Sequence, residues 1–306
     1  MTLVEALAQR ALIGDGAMGT QLQLAGLPPG GCGEAWNLDR PDRVLAIHRA
    51  YVEAGADCLT TNTFGGCRIS LARHREGART TAINQAAATI AREAFGGHPG
   101  FVIGDIGPFG GLMEPLGDIA IADVEAAFTE QAEALVGAGV DAIIVETQTA
   151  LEELEIGIAA ARAAGAEVVI GSMAFDRMFD SDDVRTMMGV SPEQAARFMV
   201  DRGAGVVGTN CGTGVNMLIA TSIVARYRAV CDLPIMVQAN AGQPVLEQMQ
   251  TVYKQTPAEM ADGVAGVLAA GARIVGACCG STPSLIRAVA AAARPDTRTG
   301  ERGVSP

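Results

Sequence analysis

Short apolar runs rich in Val, Ile and Ala recur along this chain, separated by longer stretches with helical spacing. The runs are LIGDG (12–16), CLTTNTF (58–64), FVIGDIG (101–107), AIIVET (142–147), EVVIGSM (167–173), GVVGTNC (205–211), PIMVQAN (234–240) and RIVGACC (273–279). Each is strand length, and most lack the apolar–polar alternation of a half-buried strand. That is how strands covered on both faces read. Between them, segments such as PDRVLAIHRAYVEAG (41–55) and VEAAFTEQAEALVGAG (124–139) carry a helical period.

The junctions EAGADCLTT, GAGVDAIIV, RAAGAEVVI, DRGAGVVGT and AAGARIVGA resemble one another. Each puts glycine where a helix C-terminus takes a left-handed residue. Ser191-Pro192-Glu193, Thr256-Pro257-Ala258 and Thr282-Pro283-Ser284 read as N-caps followed by proline in the first turn. Eight strands alternating with helices at roughly 35-residue spacing predict a single (β/α)8 TIM barrel over residues 1–293 rather than a doubly wound sheet. The extra length falls in the loops 18–40, 107–121 and 174–190, on the face where barrels carry their chemistry. The tail 294–306, poor in apolar residues, is expected to be frayed.

Composition narrows the class. Hydrophobic residues make up 49% and charged residues 18%, as in a globular enzyme. A net charge of −12 argues against a nucleic-acid partner. No run of about 18 apolar residues indicates a membrane span. The N-terminus lacks a basic segment and a cleavage site, so a cytoplasmic protein is expected. Seven cysteines in a long chain without an export signal point to metal binding or catalysis more than to a disulfide framework.

A barrel aims polar residues at the C-terminal ends of its strands into the active site. Here those are Asp15, Asn62, Thr63 and Phe64, Asp105, Glu146 and Thr147, Ser172 and Met173, Asn210 and Cys211, Gln238 and Asn240, and Cys278 and Cys279. Cys211 ends the sixth strand and the cysteine pair the eighth, so the three thiols can meet over the barrel mouth. Adjacent strand residues point to opposite faces. A shared ion therefore requires an immediate turn, which Gly280 permits. Three thiolates without a histidine suit Zn²⁺ with one open position, and packed or redox thiols remain the alternative.

Other residues admit plainer roles. Asp15 reads equally as a turn cap, and Asn62 and Asn240 as partners of loop backbone. Glu146 closes a buried run, where an unpartnered carboxylate is costly, which favours function. Asp176, Asp180, Asp182 and Asp183 read as a solvated loop. His48, His74 and His98 are not expected to be ligands. GDGAMGT lacks the lysine of a phosphate loop.

GDGAMGTQLQ, GADCLTTNTFGG, the VET closing the fourth strand, GTNCGTG, QANAGQP and GACCGSTP together resemble the homocysteine-binding module of cobalamin-dependent methionine synthase. Bacterial proteins described as betaine–homocysteine methyltransferases are similar too. The resemblance runs from about residue 10 to about residue 293. It implies a zinc-dependent methyltransferase of homocysteine, with Cys211, Cys278 and Cys279 as zinc ligands. Asp15 and Glu146 would grip the amino acid, and the backbone of Gly16, Ala17, Met18, Gly19 and Thr20 would take its carboxylate. Asn62 and Asn210 fall in the same site, and Asn240 matches an asparagine that lies near the metal when substrate is absent.

The donor is a separate question. Betaine-dependent animal relatives have tyrosines where this chain has Gly65 and Thr147, leaving Phe64, with Trp36 as a possible loop contribution. Aromatic faces recognise methylated ammonium, so direct use of betaine in the animal manner is disfavoured. The chain carries no cobalamin motif, so the expected donor is methylcobalamin on a separate corrinoid protein. The alternatives are betaine or another onium compound, a different thiol acceptor, or a non-catalytic zinc- and thiol-binding module. The loop 174–190 is a candidate lid.

Overall fold

The computed structural model describes residues 1–179, 183–247 and 250–294. The expectations for Asp180, Asp182 and the tail beyond Arg294 lie outside the described residues. Eight parallel strands form the central sheet: β1 (Leu12–Ile13), β2 (Cys58–Thr60), β3 (Phe101–Ile106), β4 (Ala142–Gln148), β5 (Val169–Met173), β6 (Val206–Asn210), β7 (Ile235–Ala239) and β8 (Ala272–Ala277). Their spatial order is β1-β8-β7-β6-β5-β4-β3-β2. Helices such as Pro41–Glu53, Thr80–Ala94 and Ile121–Gly137 follow the strands and cover the outside. This is the expected (β/α)8 barrel. The five junction glycines, Gly55, Gly139, Gly165, Gly203 and Gly271, all have positive φ.

The seam between β1 and β2 is closed in an unusual way, because both strands are short. The Asp57 N–H donates to the Ile13 carbonyl at 2.7 Å, and the Asp57 carboxylate accepts the Ile13 N–H at 2.8 Å. One turn higher, the Asp15 carboxylate accepts the Thr60 N–H at 2.8 Å and the Thr60 hydroxyl at 3.0 Å. Side-chain oxygens thus stand in for missing ladder carbonyls, which buried N–H groups require. Arg10 forks onto Asp57 with two 3.0 Å bonds and offsets its charge. Asp141, at the equivalent junction before β4, repeats the device by accepting the Val102 N–H at 2.6 Å.

Inside the barrel, Leu12, Cys58, Ile103, Ile144, Ile170 and Ile274 form an apolar plug. The short helix Leu3–Gln9 seals the N-terminal end with Leu3 and Leu7, and Thr2 and Glu5 cap it reciprocally. Only the opposite end remains open. Ser191 and Thr256 cap their helices as expected. Thr282 does not: its hydroxyl pairs with the Ser284 hydroxyl at 2.8 Å and makes no cap bond. Two small hairpins on the open face, Asp176–Arg177 with Val184–Arg185 and Pro244–Glu247 with Gln250–Tyr253, were not anticipated from periodicity. No helix among the described residues is long and apolar enough to cross a membrane.

His48, on the helix Pro41–Glu53, is fully buried and neither ring nitrogen has a partner among the described residues. Burial pushes its pKa down to about 4. The unfolded chain, with a histidine pKa of about 6.5, binds this proton first. The histidine's contribution to stability is therefore complete above pH 6.5 and is lost as the pH falls towards 4. Between pH 8 and pH 5 the loss is about 2 kcal/mol. Urea midpoints of the metal-free protein should show that loss reduced by this amount in His48→Leu.

Candidate metal and substrate site

Cys211, Cys278 and Cys279 meet at the open end. The Cys211–Cys279 and Cys278–Cys279 Sγ distances are both 3.9 Å, and all three sulfurs lie within 4.8 Å of one another. Four ligands placed tetrahedrally at the usual Zn–S length of 2.3 Å stand about 3.8 Å apart. The donor set and its spacing therefore fit Zn²⁺. Hydrogen bonds from Cys278 and Cys279 pull the Cys211 thiol down, and the same contact with Cys211 pushes the other two up.

Backbone turns aim these sulfurs. Cys211 itself is left-handed at φ 58°, and Gly212 follows at φ 85°. A Cβ at Gly212 would fall 1.8 Å from the Phe175 carbonyl oxygen, so only glycine fits. After Cys279 the chain turns at Gly280, φ 77°, where a Cβ would fall 2.0 Å from the Tyr253 ring. Tyr253, carried by the second hairpin, lies over the cysteine turn beside Cys279. Burial, followed by the charge on Cys279, pushes this phenol up to about 12. Sequence reading missed Tyr253, because hairpin geometry brings it to the site.

Glu146 is placed by an irregularity in β4. The register with β5 shifts between Val145 and Gln148, and Thr147 is left-handed at φ 55°. Bulges beside functional sites re-aim side chains in this way. A β-branched residue in that region is strained, and Asn210 holds it there. The Asn210 carbonyl oxygen accepts the Thr147 N–H at 3.0 Å and the Ser172 hydroxyl at 2.7 Å, while its amide donates to Glu146 and to the Thr147 hydroxyl.

These groups border a cavity of about 450 Å³. Asp15, the Gly16–Thr20 backbone, Asn62, Glu146 and the three cysteines line it. Asn210 and Asn240 stand behind the wall. Asn240 donates to the Gly212 carbonyl at 3.1 Å and approaches the Cys211 sulfur at 3.8 Å, and its own amide oxygen is buried without a partner. The Asn62 amide is engaged with the Gly33 carbonyl and Asn37. Burial pushes Asp15 up to about 7 against its Thr60 hydrogen bonds, and burial likewise raises Glu146. Among the described residues, no lysine or arginine lines the cavity.

Phe64, 44% exposed, is the one aromatic side chain among the described lining residues. Trp36 packs against the outer core instead. The Glu34 carboxylate accepts the Gly65 N–H at 2.8 Å and occupies the space a side chain at Gly65 would need. Of the remaining cysteines, Cys58 fills the barrel interior, and Cys32 hydrogen-bonds the Glu34 carboxylate at 3.5 Å.

The sequence profile of the family described as homocysteine S-methyltransferase matches residues 12–293. Methionine synthase of Mycobacterium tuberculosis (strain ATCC 25618 / H37Rv) is 36% identical over 304 residues, covering 95% of this chain and 25% of that protein. The methionine synthase of Mycobacterium leprae (strain TN) is 36% identical over 315 residues, covering 98% of this chain and 26% of its own length. The chain thus spans about a quarter of these relatives. The crystal structure of the Escherichia coli homocysteine methyltransferase MmuM in its metallated form superposes with a TM-score of 0.74 at 23% identity, covering 92% of this chain and 96% of that one. Its oxidized form gives 0.74 at 22% identity, covering 94% and 98%. At that identity the likeness is one of fold.

Proposed function

The chain belongs to the homocysteine S-methyltransferase family, and we propose that it transfers a methyl group to the thiolate of homocysteine, forming methionine. The observation that carries this reading is the meeting of the three cysteine sulfurs with the carboxylates of Asp15 and Glu146 on one cavity. Cys211, Cys278 and Cys279 would hold zinc, leaving a fourth position for the substrate sulfur. Bound there, zinc supplies charge that keeps a thiol of ordinary pKa about 8.5 deprotonated at neutral pH. Asp15 and Glu146 take the substrate ammonium, and the Gly16–Thr20 backbone its carboxylate. Asn210 holds Glu146 in the orientation that grip needs. Asn240, whose amide nitrogen approaches Cys211 and whose oxygen is unpartnered among the described residues, would occupy the site before substrate arrives.

The donor in this reading is methylcobalamin on a separate corrinoid protein. With Phe64 alone on the described cavity wall and Glu34 beside Gly65, no aromatic cage surrounds a trimethylammonium group. A second reading keeps the acceptor and uses a cationic onium donor directly, which the carboxylate-rich wall would favour. Turnover of L-homocysteine should be measured with methylcobalamin, a methylated corrinoid protein, betaine and S-methylmethionine in parallel. Methionine formed with the corrinoid donors is the expected result. Turnover with betaine or S-methylmethionine alone would overturn the donor assignment. Failure of the zinc-loaded protein to bind homocysteine would overturn the acceptor.

A further inference from the structure

Asp105 is a further carboxyl group on the cavity wall, beside Asp15, Glu34 and Glu146, and its side chain has no structural task in the barrel. It sits on β3 opposite Ile144 and is only 4% exposed. Its main chain does the local work. The Asp105 N–H donates to the Thr61 hydroxyl at 3.0 Å, and the Asp105 carbonyl accepts from Thr63 at 2.7 Å and Gln131 at 3.0 Å. Those contacts would survive almost any small side chain at this position. The carboxyl group meets Glu146, and its Oδ1 atom is buried without a partner. Burial, reinforced by the charge on Glu146, pushes it well above the usual carboxylate range.

Two adjoining buried carboxyl groups with no cation are costly to the empty protein. An unpaired buried acceptor that faces a cavity finds its partner in whatever enters. The described wall offers no lysine or arginine, and its one imidazole, His74, is solvent-exposed whereas Asp105 is buried, so the partner is a cation brought by a ligand.

We propose that Asp105 is a specificity-determining residue which, together with Glu146, receives the ammonium group of the amino-acid substrate. The inference rests on homocysteine being the acceptor. It implies that this site discriminates against thiols lacking the amino group, because such a ligand leaves Asp105 and Glu146 facing each other without a counter-charge.

The test is calorimetric titration of the zinc-loaded full chain with L-homocysteine and with 4-mercaptobutanoate, which is homocysteine without its amino group. Wild type is compared with Asp105→Asn, which keeps the shape, and Asp105→Ser, which keeps only a small polar group. Zinc content and thermal unfolding serve as checks on folding. Both variants should bind homocysteine about tenfold to a hundredfold more weakly, the range for a hydrogen bond to a charged group. Affinity for 4-mercaptobutanoate should stay within about twofold, since the missing group cannot sense the change. Equal weakening of both ligands would make Asp105 a structural residue and overturn the inference, as would unchanged homocysteine affinity. Weaker binding of S-methylmethionine with homocysteine unaffected would move the contact to a donor and overturn it too. A wild-type protein that binds 4-mercaptobutanoate but gains nothing from the amino group would overturn the inference alone. One that binds neither thiol would overturn the proposed function as well.

Discussion

Cys211→Ser is expected to purify with less than roughly a tenth of the zinc held by wild type and to lose homocysteine methylation by about 10³-fold or more. Serine retains the backbone preference and nearly the volume of cysteine, so the turn through Gly212 should persist. What disappears is one of three sulfurs that stand at tetrahedral spacing. A hydroxyl does not ionise near neutral pH and is a poor ligand for a thiophilic ion. Without the ion, a bound homocysteine thiol remains mostly protonated at pH 7 and is a weak nucleophile. Metal analysis, circular dichroism and single-turnover assays on the same preparation check the prediction. A folded variant that keeps one zinc per chain would place the metal elsewhere.

Glu146→Gln is expected to leave zinc content unchanged and weaken homocysteine binding by about 10²- to 10³-fold, since truncating one partner of a buried charge pair costs 2–5 kcal/mol. The substitution keeps the shape but removes the charge, and it places an amide against donors from Asn210 and Thr147. Stability should move the other way. Burial raises the Glu146 pKa, so its contribution is complete below the unfolded-state value and is lost as the pH rises through the folded-state value. At pH 8, above the unfolded-state value, the buried carboxyl group therefore destabilises the empty site, and glutamine removes that burden. Thermal unfolding of the metal-free proteins should give the variant the higher midpoint at pH 8, with the gap closing towards pH 4. A lower midpoint at pH 8 would mean that the carboxylate is satisfied without substrate.

Such opposition between binding and stability is expected where a protein keeps unpaired charge ready for a ligand. The cavity wall carries Asp15, Glu34, Asp105 and Glu146 with no lysine or arginine among the described residues, and its one imidazole, His74, is solvent-exposed. Three of them are tied into the barrel differently: Asp15 through the β1–β2 seam, Glu146 through Asn210, and Asp105 through its main chain, its side chain meeting Glu146. That difference is why Asp105 is the one whose side chain can be changed with least disturbance to the fold.

The sequence by itself determined the barrel, its eight strands, the glycine-terminated helices and the strand-end cysteines. These rest on local periodicity and on backbone preferences that each segment carries alone. It also brought Glu146 forward, because a carboxylate closing a buried strand has few structural uses, and Asp15 through its place at a strand end and the family resemblance. Only the tertiary structure decided how those ends are aimed. The β4 irregularity that turns Glu146, the left-handed backbone at Thr147 and Cys211, the Asp57 and Asp15 closure of the seam, and the approach of Tyr253 to Cys279 all depend on neighbours distant in sequence. So does the free oxygen of Asp105. A strand pattern places a residue at a height in the barrel, but whether its side chain finds a partner depends on how closely other strands approach it, and that is settled only when the sheet closes.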